Sequence, residues 1–205
     1  MTTTPAARKF RLALMVVVGA LLAGACATTS PPMRFFLLSP LETPANPQPG
    51  LGEILVLVGP LQLPGYLDRP QLMVRQSDGQ LSLREFDRWA EPLDALLTST
   101  VTANLVRLTG SPRIVAFPLP ARASPERRIL GRVIRFDADA SGMAVLEVQW
   151  SITDGNGEPL VPVRIDRFRA QASATEPAAL VAALSDTLGQ FSRQLAAGLL
   201  ASVPD

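Results

Sequence analysis

The chain has 205 residues, of which 19 are basic and 18 acidic, so its formal net charge is +1. With this balance the chain has no positive surplus to attract nucleic acid. It contains no histidine, so a serine nucleophile would have no imidazole to act as its base. Lysine occurs only at Lys9, so a phosphate-binding loop of the Walker type, which needs a lysine after its glycines, is excluded from the rest of the chain.

The first predicted element is a short apolar run over residues 12–22. It follows Arg8, Lys9 and Arg11 and leads through small residues to Cys26, which is the order of a secretory signal. A membrane-spanning helix needs roughly 20 apolar residues, and this run is shorter. The small residues before Cys26 resemble the lipobox of bacterial lipoproteins, whose cysteine receives a diacylglyceryl thioether before the chain is cut in front of it. The alternative is an ordinary secreted protein with one unpaired thiol.

Three parts are therefore predicted: a lipoprotein signal peptide over residues 1–25, a lipidated tether over 26–33 and a single domain over 34–205. Removal of the signal would leave 16 basic and 18 acidic side chains. Gram-negative lipoproteins kept in the inner membrane usually carry aspartate directly after the cysteine. Because Ala27 stands there, the resemblance implies a lipid-anchored protein on the periplasmic face of the outer membrane.

The domain begins with strand patterns. Residues 34–38 form a short apolar run that is too brief for a helix, and residues 53–58 are apolar on both faces, which predicts a central strand. Residues 72–75 and 80–86 are predicted to pair as a hairpin around Asp78-Gly79.

A proline-rich loop over residues 59–72 separates the central strand from this hairpin. Prolines restrict their own backbone and that of the preceding residue, so the loop should be rigid. With the residues just after the hairpin, it presents side chains of types that contact partners, and the candidate partner-binding set is Tyr66, Asp68, Arg69, Arg88, Trp89 and Glu91. The structural alternative is that Trp89 covers the sheet edge and that Asp68 pairs with Arg69.

The order VGPLQLPGYLDRPQL, a hairpin and then RWAEPL resembles the ABC-type transport auxiliary lipoproteins. That family partners periplasmic MCE-domain proteins, which carry lipid between two membranes and are served by an inner-membrane transporter. The resemblance implies an antiparallel sheet backed by two helices and no catalytic activity.

Helical spacing supports the same architecture. One apolar stripe starts at Leu93 and is ended by Gly110 and Pro112, and a second starts after Thr175, the predicted cap, and Pro177 in the first turn. The second stripe is predicted to pack on the sheet rather than to form a coiled coil; it consists of Leu180, Leu184, Leu188, Phe191, Leu195 and Leu199. Strands are predicted over residues 113–117, 129–136, 144–152 and about 161–171, the last three as a meander. The fold class is α+β, a mainly antiparallel sheet with two long helices packed on one face.

Residues 137–142 imitate the first half of a calcium-binding EF-hand loop, with oxygen-bearing side chains at alternate positions and glycine sixth. The twelfth position, which needs a glutamate, is Val148, and both flanks are predicted strands. A plain hairpin turn is therefore expected, with no metal and no cofactor other than the covalent lipid on Cys26.

The acidic residues are scattered, with no pair suited to general acid and base, and an acylated Cys26 offers no thiolate. The prediction is thus a non-enzymatic outer-membrane lipoprotein subunit of an ABC/MCE-type lipid-transport system that docks the periplasmic MCE-domain protein. Self-association would suit a ring-shaped partner. The alternative is a periplasmic lipid-binding chaperone, which would need an apolar cavity between helices and sheet.

Overall fold

The computed structural model describes residues 31–42, 44, 50–119 and 124–203. The predicted signal peptide and Cys26 lie outside the described residues. The compact unit that begins at Met33 contains the following elements. In chain order they are β1 (Arg34–Phe36), β2 (Val56–Gln62), β3 (Gln71–Arg75), β4 (Leu81–Trp89), α1 (Leu93–Thr109), β5 (Ile114–Ala116), β6 (Arg127–Asp139), β7 (Met143–Asp154), β8 (Pro159–Gln171) and α2 (Pro177–Ala201).

These strands form one sheet that branches at β6. Along one edge β6 pairs with β7, which pairs with β8, so the predicted meander is confirmed. The other edge of β6 is shared, because β2 pairs with its first half and β3 with its end. Beyond β2 lies β5, and beyond β3 lie β4 and then β1.

The α+β prediction is confirmed, with one addition to the sheet. The long ladders β6–β7 and β7–β8 and the β3–β4 hairpin are antiparallel. The shorter pairings β1–β4, β2–β5, β2–β6 and β3–β6 are parallel. Parallel partners need long connections, and such pairings leave no local sequence signal. Helix α1 lies in the connections of β2–β5, β2–β6 and β3–β6, whereas β2 and β3 lie between β1 and β4.

The central strand β2 starts and ends later than predicted. It was expected over residues 53–58, but it runs to Gln62 and takes up the start of the predicted loop. The register to β6 shifts between Val58 and Leu61, and this bulge accommodates Gly59, at φ +96°, and Pro60, which has no N–H to donate. The predicted central position is confirmed, since β2 lies between β5 and β6.

Both helices pack on one face of the sheet, α1 over β2 and β5 and α2 over β6, β7 and β8, and they contact each other. Helix α1 ends as predicted at Gly110, whose φ of 68° suits glycine and whose N–H donates to the Val106 carbonyl at 2.9 Å. The predicted cap of α2 is wrong. Glu176 occupies the cap position without a side-chain hydrogen bond, and the Thr175 carbonyl instead accepts a hydrogen bond from Arg84.

The segment after β1 is held by both helices. The Ser39 N–H donates to Ser185 Oγ at 3.1 Å, and the Leu41 N–H donates to Asn104 Oδ1 at 2.7 Å. The Arg107 guanidinium donates to the Leu41 carbonyl. The strand predicted over residues 34–38 therefore ends at residue 36, because the chain turns here toward α1 and α2.

The apolar stripe of α2 forms the centre of the core, as predicted. All six of its predicted members are buried. Phe191 packs edge-on against Trp150, with 6.0 Å between ring centroids, and lies 5.8 Å from Phe168. This aromatic cluster joins α2 to β7 and β8.

We expect Phe191→Ala to lower the free energy of unfolding by about 3–5 kcal/mol, because it removes buried surface and leaves a cavity among rings. Leu83→Ala is the control, since the Leu83 side chain is 44% exposed; it should cost about 0.5 kcal/mol or less. Denaturant titration of the detergent-solubilised full chain measures both. Equal losses in the two variants would contradict this account of the core.

Candidate functional site

The loop between β2 and β3 is anchored at two points, Leu67 and Pro70. Gly65–Leu67 forms a single 3-10 turn, and the Leu67 side chain is buried in the core. The Trp89 N–H donates to the Pro70 carbonyl at 2.7 Å, which joins the loop to the end of β4. The predicted rigid loop therefore lies beside the start of α1.

Trp89 lies inside the domain. Its side chain is 6% exposed and stacks on Phe136, with 6.4 Å between ring centroids and 28° between ring planes. The structural interpretation fits this position, and the low exposure leaves little of the Trp89 side chain for direct contact with a partner. Its indole supports the junction from which the loop and α1 emerge.

Three of the predicted residues, Asp68, Arg69 and Glu91, are exposed. Within the described residues Asp68 and Arg69 form no ion pair with each other or with any other residue, so the alternative of a local pair is not realised. Arg88 is engaged by its own strand, since its guanidinium lies 3.1 Å from Glu85 Oε1. The loop and the start of α1 together form one corner of the domain. Among the predicted residues, only Asp68, Arg69 and Glu91 present free side chains there.

Glu91 lies at the rim of an open groove of about 390 Å³ at the start of α1. Asp94, Pro60 and the exposed ring of Phe117 also line it. The two carboxylates and the apolar floor give this groove a character suited to a basic, apolar segment of a partner. The residues that line this groove do not include Asp68 or Arg69.

A buried ion cluster lies beneath the loop, and sequence reasoning did not find it. Arg75 Nη2 lies 2.6 Å from Asp137 Oδ2, and Arg135 Nε lies 2.8 Å from Asp137 Oδ1. The Asp137 side chain has no exposed surface, and its hydrogen bond raises the pKa of the Arg75 guanidinium. In the sequence this cluster is indicated only by Arg135, two residues before Asp137 and on the same face of the strand. Such a pattern is too common to predict an ion cluster.

Tyr66 covers this cluster. Its hydroxyl lies 3.5 Å from the Ile134 carbonyl, on the stretch of β6 between the parts that pair with β2 and β3. Burial, followed by the negative charge of Asp137, raises the pKa of the Tyr66 hydroxyl. Tyr66 is therefore half-buried and fixed in place, with part of its ring available at the surface.

The calcium-like segment forms a hairpin turn, as predicted. Asp139 Oδ1 accepts hydrogen bonds from the Ser141 N–H at 2.9 Å, the Ser141 hydroxyl at 2.6 Å and the Met143 N–H at 3.0 Å. Burial acts to raise the pKa of Asp139, but these bonds outweigh it and hold the pKa below its usual value. In the described part of the chain, no three histidine, cysteine or acidic residues are grouped so that they could hold a metal ion.

Side chains fill the space between helices and sheet. A Cβ added at Gly198 would lie 3.2 Å from Ile152 Cδ1, and one at Gly189 would lie 2.7 Å from Leu41 Cδ2. Helix α2 therefore approaches its neighbours too closely for an acyl chain to pass at these points. The helices of the described residues include none that is both long and apolar enough to cross a membrane.

Comparison with known families decides which proteins this chain is related to. The family described as ABC-type transport auxiliary lipoprotein component matches residues 36–196. The chain belongs to this family. The resemblance in the loop and the β4–α1 junction is thereby confirmed, and this auxiliary lipoprotein is a component associated with an ABC-type transport system.

Two crystal structures are similar to the auxiliary lipoprotein domain. Protein XCC0632 from Xanthomonas campestris is 20% identical, with a TM-score of 0.69 over 82% of this chain and 95% of its own. An uncharacterized protein is also 20% identical, with a TM-score of 0.67 over 82% of this chain and 98% of its own. At this identity the similarity establishes the fold alone. No curated protein matches this chain.

The environment of Tyr66 can be measured directly, because the chain contains one tyrosine. In an ultraviolet titration of the phenolate we expect a pKa above the ordinary value of 10.0. Asp137→Asn should lower this pKa by removing a nearby negative charge, and Arg135→Gln should raise it by removing a positive one. Glu147→Gln, which removes a carboxylate paired with Arg167, is the control and should leave it unchanged. If the Tyr66 pKa were the same in Asp137→Asn and Arg135→Gln as in the unaltered chain, the proximity of Tyr66 to the ion cluster would be contradicted.

Proposed function

We propose that this auxiliary lipoprotein is a non-enzymatic subunit of an ABC/MCE-type intermembrane lipid-transport system. A lipid on Cys26 holds it at the periplasmic face of the outer membrane, and its domain docks the periplasmic MCE-domain protein. The observation that carries the proposal is the family match over residues 36–196, which covers nearly the whole described domain.

Docking is favoured over lipid carriage by the packing of the domain. A lipid chaperone needs an apolar cavity long enough for an acyl chain. Here the interface between α2 and the sheet is occupied by Trp150, Phe191 and Phe168, with ring centroids about 6 Å apart. These rings are held by the core and would have to be displaced, at a cost of several kcal/mol, to admit a lipid chain.

The proposed docking surface is the exposed part of the corner, with Asp68 and Arg69 on the loop, Glu91 at the start of α1, and Tyr66 and Arg88 beside them. The loop is anchored by Leu67 and by the bond between Trp89 and Pro70. Binding through such a fixed segment orders few side chains, so little affinity is lost to conformational entropy. Trp89 contributes by holding this frame.

The proposed membrane anchor is covalent. One acyl chain holds a protein only marginally, whereas two or three chains hold it almost permanently, because each buried methylene contributes about 0.8 kcal/mol. This anchoring needs no membrane-spanning helix and leaves the domain free to face the periplasm.

Charge reversal at the loop tests the docking surface. We expect Arg69→Glu to reduce the yield of MCE-domain protein that co-purifies from detergent-solubilised membranes by about 30-fold, the loss typical of an interface hot spot of about 2 kcal/mol. Arg193→Glu, the same substitution at an exposed site on α2, is the control and should leave the yield unchanged. Recovery of no transporter component with the unaltered chain, identified by mass spectrometry, would refute the proposed partner.

Replacement of the predicted lipid attachment site tests the anchor. We expect Cys26→Ser to abolish incorporation of labelled palmitate and to remove the mature protein from sedimented envelope vesicles, whereas Thr28→Ser should change neither. A Cys26→Ser protein that still takes up palmitate and sediments with the envelope would refute lipidation at this cysteine.

A further inference from the structure

On the second face of the sheet the 3-10 turn Gly65–Leu67 places Tyr66 over Asp137, and no other helix and no strand of the described residues covers this face. Side chains alternate along a strand, so the residues between those that pack on α2 point to this open face. On β8, Phe168 and Ala170 belong to or pack on the core, which directs Arg167 and Arg169 outward. The strand register places Ile165 of β8 opposite Gln149 of β7, and Gln149 opposite Arg132 of β6. These three residues therefore form one row across the open face.

The open face carries exposed apolar side chains. On β8, Val163 is 65% and Ile165 57% exposed, and on β6 Leu130 and Ile134 are also exposed. Leu130 and Val163 line a shallow groove of about 290 Å³. Exposed apolar groups that share one face mark a binding surface more often than isolated ones do.

The same face has a surplus of positive charge. Its arginines are Arg75, Arg128, Arg132, Arg135, Arg167 and Arg169. Along β6 and β7 its carboxylates are all engaged, since Asp137 binds Arg75 and Arg135, Glu147 binds Arg167, and Asp139 accepts hydrogen bonds within its turn. Within the described residues Arg128, Arg132 and Arg169 form no ion pair. We call this surface the arginine face.

We propose that the arginine face lies against an anionic phospholipid surface. Guanidinium groups bind phosphate oxygens through two parallel hydrogen bonds, and each basic side chain near an anionic leaflet contributes about 1 kcal/mol. The apolar side chains between the arginines enter the boundary of the acyl region, as in other proteins that lie on a membrane. The surplus of unpaired arginines supplies the charge complementarity.

The shape of the face favours a lipid surface over an acidic protein. A protein partner is usually gripped by buried aromatic anchors in well-formed pockets, whereas this face is shallow and alternates apolar and arginine side chains. The described domain begins at Met33, seven residues after Cys26. Chain of that length spans about 25 Å at most, so a lipid on Cys26 would keep the domain close to headgroups. This last step rests on the proposed anchoring, while the charge pattern does not.

The test uses the lipidated full chain in nanodiscs made either of phosphatidylcholine or of phosphatidylcholine with phosphatidylglycerol. Since the thiol of Cys26 is consumed by the lipid, Val163→Cys provides a single site for an environment-sensitive fluorophore. Ala197→Cys, at an exposed position on α2, is the control reporter. We expect the label at position 163 to enter an apolar environment only on the anionic discs and to leave it at high salt, whereas the label at position 197 stays in water.

Paired arginine variants test the charge. Arg132→Gln combined with Arg169→Gln should lower the ratio of docked to undocked domain about 30-fold, the effect of losing two contacts of about 1 kcal/mol each. The double lysine variant at these two positions keeps the charge and should retain most of the docking. Thermal unfolding checks that both variants are folded.

Two outcomes would overturn the proposal. The first is the same emission at position 163 on both kinds of disc. The second is a loss of a co-purifying acidic protein from the double glutamine variant while position 163 stays in water, which would assign the face to a protein. The co-purification at Arg69 and the palmitate labelling of Cys26 are independent measurements, so either result leaves the proposed function standing if they hold.

Discussion

The shared edge of β6 is the constraint on which the rest of the domain depends. β2 and β3 both run parallel to β6 and occupy successive parts of the same edge, so the chain between them must leave the sheet and return to it. That excursion is the loop that carries Tyr66, Asp68 and Arg69. Tyr66 then closes the gap in the ladder and covers Asp137, so that loop, ion cluster and sheet hold one another in place.

The two faces of the sheet differ in how they are covered. One face is sealed by α1 and α2 around the Phe191 cluster, which leaves the domain rigid and without room for a lipid chain at that interface. The other face keeps Arg132, Arg167, Arg169 and several apolar side chains exposed. A rigid domain with one surface proposed to bind lipid and a separate corner proposed to bind a protein would suit an adaptor between a membrane and a transport component.

The elements that could be predicted from the sequence depend on interactions between residues close together in the chain. Helical periodicity and Gly110 defined α1, and the stripe from Leu180 to Leu199 predicted the buried side of α2. The features that could not be predicted depend on contacts between residues far apart in the chain. Nothing near Asp137 reveals that Arg75 reaches it, nothing near Trp89 reveals that Phe136 covers it, and the passage of β2 through Gly59 and Pro60 needs a bulge that only the pairing with β6 specifies.

The fastening of the segment after β1 has a mechanical consequence. Leu41 is bonded through its N–H to Asn104 and through its carbonyl to Arg107, and Ser39 is bonded to Ser185. Tension applied at the amino terminus therefore first loads β1, which pairs with β4 from Asp87 to Trp89, and then reaches α1 and α2 through the bonds of Ser39 and Leu41. A pull from an anchored amino terminus would thus be shared between the edge strand pair β1–β4 and the helical layer, so that no single hydrogen bond carries the load.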